Sequence, residues 1–398
     1  MLAEKAINSS DYTIYLLLLD MSKAFDTVDR KLLFEHLEKI LGKDELHLLS
    51  ILTRNPELHV RVNDTLGINF KTIIGIMQGD VLSAILFIFY LACCLGKESS
   101  TYINKLLIAP KYADDITYAS NNKRIIDNIK NTVQNKLKKF NLTINESKTE
   151  TYQIPKPSPP APPPPSIETL IEHKNDKPRW SELDWLIKYT PPLPEDKIPN
   201  WKRCKLLGSL LDTELDIKRR KIQTIDAMKK LRTVFNSPRI SIMLKVRCFI
   251  AYINSVFLYN SELWCMNNKI SEEIDSFHRK QLRYAIGIRY PKIVTNVDLY
   301  AITKVEQWSK TIKRRRLNWL GHMMRLPQDT PARLALDEHL RPTHNKRGRP
   351  KTTWIRTIKN DLNIINLNLD DRKETINTLE NITKDRKNWK KMIKALIQ

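Results

Sequence analysis

The chain has 398 residues, 41% of them hydrophobic, and a formal net charge of +23. That length suggests two or more domains, each able to bury a core. Five cysteines without a C-x-x-C pair point to a reducing compartment and away from structural zinc. The charge is unevenly placed. Residues 1–150 hold 19 Lys+Arg against 18 Asp+Glu, residues 151–200 hold 6 against 7, and residues 201–398 hold 42 against 19. The whole excess therefore lies in the C-terminal half. Counterion release makes such a region a polyanion binder, and a solubilising surface is the plainer reading. No lipidation motif accompanies the charge. The longest apolar run, Val81 to Leu95, is shorter than the ~20 residues of a membrane span. Met1 to Asp11 lacks the basic, apolar opening of a signal peptide. The sequence thus predicts a soluble, intracellular protein, neither secreted nor membrane-bound.

In chain order, Thr13 to Leu19 is a short unbroken apolar run that predicts a strand buried on both faces, closed by Asp20. An acid there is costly to desolvate unless paired or metal-bound. The plainer alternative makes Asp20 the N-cap of the next helix, whose apolar positions are Leu32, Leu33, Leu37, Ile40 and Leu41. A second helix is expected near 44–54, a hairpin around Asn63 to Gly67, and a strand from Ile68 to Ile74. Gly75-Ile76-Met77-Gln78-Gly79-Asp80 then breaks the strand and opens the apolar helix Val81 to Leu95. Gly79 before a helix start suits close approach of a phosphate. Two apolar runs, Ile103 to Ile108 and Ile116 to Tyr118, flank a hairpin tip carrying Asp114-Asp115. Adjacent carboxylates repel, so the pair is either a solvated turn or a divalent-cation ligand. A helix over about 122–140 completes an α/β pattern.

Residues 155–165 hold a proline run that reads as a polyproline II spacer or an SH3-type ligand, and Pro191 to Pro199 adds a second cluster. Beyond 201 the spacing is helical over Ile217–Phe235, Ser241–Trp264 and Ser271–Ile286. Two basic runs follow, Lys313-Arg314-Arg315-Arg316 and Arg347-Gly348-Arg349-Pro350. The second is similar to the core of an AT-hook, which lays Arg in the minor groove.

Leu19-Asp20-Met21-Ser22-Lys23-Ala24-Phe25-Asp26, Gly75 to Ser83 and Tyr112-Ala113-Asp114-Asp115 resemble, in order, the palm motifs of reverse transcriptases of the non-LTR (LINE-type) retrotransposons. Asn141 to Asn145 with Lys148-Thr149-Glu150 resembles the next motif, and Lys205 to Ser209 the primer-grip turn. Leu258 to Trp264, Arg316 to His322 and Gly348-Arg349-Pro350 with Trp354 resemble the C-terminal region of such proteins. The resemblance covers most of the chain outside roughly 151–200. It implies an α/β (α+β) polymerase palm over 1–152 and a Pro-rich insertion over 153–200. A primer-grip turn and helical thumb over 201–300 and a basic helical region over 301–398 would follow. Two motifs depart from the family pattern. Val81 and Ala84 stand where Pro is usual, and Asn141 stands where Gly is usual.

By resemblance, Asp20 and Asp114 ligate two Mg²⁺ or Mn²⁺ ions with the Met21 carbonyl, and Asp115 supports the site. Phe25 favours dNTP over NTP, while Gln78 and Gly79 touch the nucleotide and template base. Lys148 steadies the pyrophosphate, with a plain surface lysine as its alternative. Leu207 and Gly208 grip the primer. Lys313, Arg314, Arg315, Arg316, Arg347 and Arg349 hold nucleic acid. The implied partners are an RNA template, a DNA primer and dNTP, in nucleus or cytoplasm. Only 19 residues precede Asp20, so a truncated enzyme with little primer extension by itself is expected. Two further readings stand beside this one, a non-catalytic nucleic-acid-binding descendant and another two-metal enzyme such as a nuclease.

Overall fold

The apolar run before Asp20 forms β1, Ile14–Leu19, and its side chains are buried on both faces of the strand. The computed structural model describes residues 13–53, 57–96, 111–112, 115–155, 200–340, 352–362 and 371–397. The expected spacer at 155–165 and the run Ile103 to Ile108 lie outside these, apart from Pro155. The chain divides after Pro155 into two compact units.

In the first unit β1 is followed by α1 (Arg30–Leu37), α2 (Lys43–Thr53), β2 (Glu57–Val62), β3 (Thr65–Lys71) and α3 (Val81–Leu95). Then come β4 (Lys111–Tyr112), β5 (Asp115–Ser120), α4 (Lys123–Lys139) and β6 (Glu150–Ile154). The sheet runs β4-β5-β1-β6, with β1 antiparallel to both neighbours. Leu17 pairs with Tyr118 on one side and Thr151 on the other, which fixes the register. A strand bonded along both edges must be apolar on both faces when helices cover it, and that matches the unbroken Leu run. Leu33, Leu37, Phe87, Tyr90, Val133 and Leu137 from α1, α3 and α4 complete this core with Leu17, Leu19 and Ile116.

Several expectations require correction. The N-cap of α1 is Asp29, whose carboxylate accepts from the Leu32 amide at 3.1 Å, so Asp20 does not cap it. The helix ends at Leu37, and Ile40 lies beyond it with 64% of its surface exposed. The strand placed at Ile68 to Ile74 instead ends at Lys71, because it pairs with β2 through a turn at Asn63 and Asp64. Asn63 takes a left-handed φ of 55°, which Asn tolerates. Every residue of β3 is exposed and α2 buries none, so apolar pattern here does not translate into burial within the described chain.

The second unit is mostly helical. A short hairpin of β7 (Lys205–Leu206) and β8 (Ser209–Leu210) precedes α5 (Thr213–Lys230), α6 (Arg232–Asn236) and α7 (Ile242–Cys248). The expected helix Ser241–Trp264 is not continuous. It passes through a π-helical turn, Phe249–Asn254, and ends with α8 (Ser255–Phe257), after which Asn260 turns left-handed at φ 55°. The remaining helices are α9 (Asn268–Ala285), α10 (Asn296–Thr303), α11 (Trp308–Met324), α12 (Pro331–His339), α13 (Trp354–Asp361), α14 (Arg372–Thr383) and α15 (Arg386–Ile397). The Trp308 ring is stacked on Phe257 at 4.0 Å and on His278 at 4.4 Å, in a core with Phe249 and Phe277. Helix α11 runs from this core into a second one, where Trp389 of α15 lies directly over Gly321. The Trp389 indole donates to the Leu317 carbonyl at 3.1 Å.

A Cβ added at Gly321 would fall 2.2 Å from Trp389 Nε1. Ala is the better helix former by about 1 kcal/mol, yet overpacking of this kind costs about 1–3 kcal/mol. Gly321→Ala should therefore lower the melting temperature, as read by Trp fluorescence; an unchanged or raised value would show that α15 moves aside freely.

His278 is fully buried, its Nε2 has no hydrogen-bond partner among the described residues, and burial, aided by the Arg279 charge, pushes its imidazole down to about 3. The unfolded chain takes up this proton near the ordinary pKa of about 6.5. The unfolded state then binds more protons, so stability should fall as pH drops below about 6.5, by up to ~1.4 kcal/mol per pH unit. Denaturant titrations between about pH 7 and pH 5 should show this loss in the natural protein and a shallower one in His278→Phe.

Candidate active site

β1 ends in the first unit where its buried ladder runs out. One residue past the last β1–β5 pair, Leu19↔Ile116, stand Asp20 on one strand and Asp115 on the other. The Asp20 carbonyl accepts from the Asn145 amide at 2.8 Å, Met21 bridges Ile144, and the Ser22 amide donates to the Thr143 carbonyl at 2.9 Å. This second short ladder brings Lys148 Nζ to 3.7 Å from Asp20 Oδ2. Lys148 is 69% exposed, so at that distance it lies near the acid without hydrogen-bonding to it. Asp20 Oδ2 is buried and has no hydrogen-bond partner among the described residues. Oxygen donors of this kind suit a hard divalent cation. Met21, in the same turn, is 5% exposed. Asp114 lies outside the described residues. Among those that are described, no group of three His, Cys, Asp or Glu side chains is placed to hold a metal.

The segment after Asp20 is folded back on the Gly75 loop. The Gly75 amide donates to the Val28 carbonyl at 2.8 Å and the Ile76 amide to the Phe25 carbonyl at 2.9 Å. Gly75 holds φ at 83°, and a Cβ there would meet the Asp26 carbonyl oxygen at 2.7 Å, so both conformation and approach require glycine. Arg30 fastens the same loop from the other side. Its guanidinium donates to the Gly75 carbonyl at 2.5 Å, the Thr72 carbonyl at 2.7 Å and the Thr72 hydroxyl at 2.8 Å. Sequence reasoning missed Arg30, whose partners lie more than 40 residues away. The loop thereby sets Gln78, which donates to Asp26 Oδ1 at 3.1 Å, and Gly79, at φ 89° with open space above its Cα. Phe25 is half-buried and stacks on Phe87 of α3 at 4.7 Å. Asp20, Met21, Phe25, Gln78 and Lys148 thus belong to interlocked turns of one unit.

Beneath these turns Tyr90 donates to the Phe140 carbonyl at 2.8 Å and lies 3.4 Å from the Asp29 amide. Burial pushes its hydroxyl up to about 12, so it stays a donor at any working pH. Asn141 takes φ 54° and donates to Asp29 at 3.2 Å, so the turn expected there survives without glycine.

The family model for reverse transcriptase (RNA-dependent DNA polymerase) matches residues 2–208, just over half of the chain. The chain belongs to the reverse transcriptase family. A transposon-derived protein of Caenorhabditis elegans is 26% identical over 157 residues, covering 38% of this chain and 54% of that one. The chain therefore spans about half the length of the curated relative it matches. Among solved structures, telomerase of Candida tropicalis with a fragment of telomeric RNA is 12% identical, covers 76% of this chain and 50% of that one, and has a TM-score of 0.35. The Candida albicans counterpart is 11% identical over 77% and 47%, with a TM-score of 0.23. Superpositions this partial carry no structural argument.

The family match ends at Gly208, on the tip of the β7–β8 hairpin in the second unit. Leu207 and Gly208 both have left-handed φ, 45° and 79°, and Leu207 is 48% exposed. The tip is held by residues from elsewhere in the same unit. The Leu207 carbonyl accepts from the Tyr259 hydroxyl at 3.0 Å and Asn260 Nδ2 at 3.3 Å, and the Gly208 carbonyl from Arg220 at 2.6 Å. Below it, buried Asp216 accepts from the Leu210 amide at 3.0 Å and the Trp264 indole at 2.9 Å. Two stretches that looked separate in the sequence, 205–209 and 258–264, are therefore one structure.

The first basic run of this reverse transcriptase chain is tied into the fold to different degrees, with Arg316 buried, Lys313 half-buried, and Arg314 and Arg315 exposed. Lys313 donates to the Leu396 carbonyl at 2.9 Å, Arg314 pairs with Glu306, and Arg315 donates to the Leu258 carbonyl at 2.5 Å. Arg316 is 2% exposed, bound to Asp361 at 2.6 Å and to the Trp264 carbonyl at 2.9 Å. Burial raises the Asp361 carboxyl while Arg316 opposes the rise. The expectation that Arg316 meets nucleic acid is corrected, since its guanidinium is already occupied in a core. Arg347 and Arg349 lie outside the described residues.

Removing the Asp216 carboxylate would strand the buried Trp264 indole N–H and take away the counter-charge 3.9 Å from the buried Arg220 guanidinium. Asp216→Ala should cost about 3 kcal/mol of stability, with Asp216→Asn milder. A loss below about 1 kcal/mol in denaturant titration would show that water takes over its hydrogen bonds.

Proposed function

We propose that the chain carries the palm, primer-grip turn and C-terminal region of an RNA-directed DNA polymerase from a LINE-type retrotransposon. The observation that carries this reading is the buried Asp20 oxygen without a hydrogen-bond partner among the described residues, at the strand end where Asp115 also stands. Asp20 and Asp114, with the Met21 carbonyl, would hold Mg²⁺ or Mn²⁺, and Asp115 would support them. Bound there, two divalent ions supply Lewis-acid polarisation of the triphosphate and acidify the primer 3′-hydroxyl. Lys148, 3.7 Å from Asp20, offers a cation to the departing pyrophosphate. Phe25, braced by Phe87, forms a wall that a 2′-hydroxyl would strike, favouring dNTP over NTP. Gln78 and the open backbone at Gly79 face the nucleotide and template base. The strained tip at Leu207 and Gly208 positions the primer, and the second unit serves as thumb and basic tail, with an RNA template and a DNA primer as partners.

Loss of one metal-holding acid removes several kcal/mol of transition-state stabilisation, or at least about a thousandfold in rate. Asp20→Asn and Asp114→Asn should each reduce RNA-templated primer extension by that much and weaken Mn²⁺ binding read by electron paramagnetic resonance. Extension that survives Asp20→Asn would overturn the assignment. Mn²⁺-dependent strand cleavage without extension would replace it with a nuclease.

A further inference from the structure

Arg30 opens α1, directly after the N-cap Asp29. A cation at a helix N-terminus opposes the helix dipole, and the first turn of α1 holds no acid to offset it. The donors of Arg30 go to the loop before α3 instead. Besides its bonds to Gly75 and Thr72, an Nη2 bond reaches the Ile74 carbonyl at 3.5 Å. The loop needs this hold. Ile73, Ile74 and Met77 are exposed, and Ile76 alone among its apolar residues is buried. Polar bonds therefore decide where the loop lies. Lysine cannot take over the task, because an ammonium is a point charge. The planar guanidinium aims Nε, Nη1 and Nη2 at acceptors on Gly75 and Thr72 together.

The loop in turn lies against the backbone that carries Phe25. The Ile76 amide donates to the Phe25 carbonyl at 2.9 Å and the Gly75 amide to the Val28 carbonyl at 2.8 Å. A Cβ added at Gly75 would fall 3.0 Å from the Asp26 Cα, so the two backbones touch. Phe25 thus has two supports: Phe87 stacks on its ring at 4.7 Å, and the loop braces its main chain. A ring stacked on one neighbour still shifts with its own backbone, so how far Phe25 stands out depends on the loop, and through it on Arg30. We infer that Arg30 is a specificity-determining positioning residue, which through the 72–76 loop holds Phe25 where it strikes a ribose 2′-hydroxyl and clears a deoxyribose. This role rests on Phe25 being the wall beside the nucleotide sugar, and it adds the group that sets the wall. Selection against a competitor by a built clash fails as soon as the clashing group can retreat. The two sugars differ by one oxygen, so a small retreat admits the ribonucleotide while the deoxyribonucleotide stays bound.

The test is the ratio of dissociation constants for NTP and dNTP. It is measured with the full chain and Mg²⁺ on an RNA template whose primer ends in a dideoxynucleotide, so the readout needs no turnover. Arg30→Lys keeps the charge and loses the fork, and the ratio should fall about tenfold, chiefly through tighter NTP binding. Thr72→Val removes only the hydroxyl acceptor of one bond and should lower the ratio about threefold; it serves as the test if the Arg30 variant folds poorly. Phe25→Val removes the wall and should lower the ratio furthest. Adding Arg30→Lys to Phe25→Val should then change the ratio no further, because both act on one ring. Equal weakening of dNTP and NTP by Arg30→Lys would show a merely structural role and overturn the assignment, as would a full additional drop in the double variant. If Phe25→Val leaves the ratio unchanged, the reading of the wall itself fails. If it lowers the ratio and neither Arg30→Lys nor Thr72→Val does, the role of Arg30 alone fails.

Discussion

The double-sided pairing of β1 is the constraint on which the first unit depends. Bonded to β5 on one edge and β6 on the other, this strand has no room for a charge along its length. The first position where a carboxylate can stand is the residue after Leu19, where the ladder ends and only part of the side chain is covered. Asp20 takes that position with one oxygen buried and unbonded among the described residues. An oxygen held this way has lost water without gaining a hydrogen bond among the described residues, and the exposed Lys148 ammonium 3.7 Å away offsets only part of that cost. The fold thus places an acid at the end of a strand whose own stability comes from backbone pairing and apolar burial.

Around that end the chain fixes its turns by backbone bonds more than by side-chain packing. The Gly75 loop, the turn after Asp20 and the 143–145 segment are tied by amide-to-carbonyl bonds, and Arg30 closes the set with three donors. Backbone bonds of this kind tolerate sequence change, which fits the departures at Val81, Ala84 and Asn141. Asp80 caps α3 without a side-chain hydrogen bond, so the start of that helix relies on the loop before it.

In the second unit buried polar groups do the equivalent work. Asp216, Arg220 and Trp264 hold the 207–208 tip in a left-handed conformation that a free hairpin would leave. Arg316 and Asp361 pin α11 to α13. Such pairs add little net stability over apolar residues, but breaking one strands a charge, so they select one arrangement strongly. Cations used in this way are unavailable to a partner.

Sequence by itself determined the strand ending at Asp20, the glycine loop, the apolar helix after it and the helical, basic character of residues beyond 201, but not β6. These follow from local periodicity and from residues whose backbone demands are intrinsic, such as Gly75. Tertiary structure alone decided which charges are free. Arg316 and Lys394 look alike in a sequence, yet one is sealed against Asp361 and the other is exposed on α15. It also decided that Ile40 is exposed, that the helix after Ser241 breaks at Phe257, and that Trp389 sits on Gly321. Each of these depends on contacts between residues distant in the chain, and no local pattern encodes such a contact.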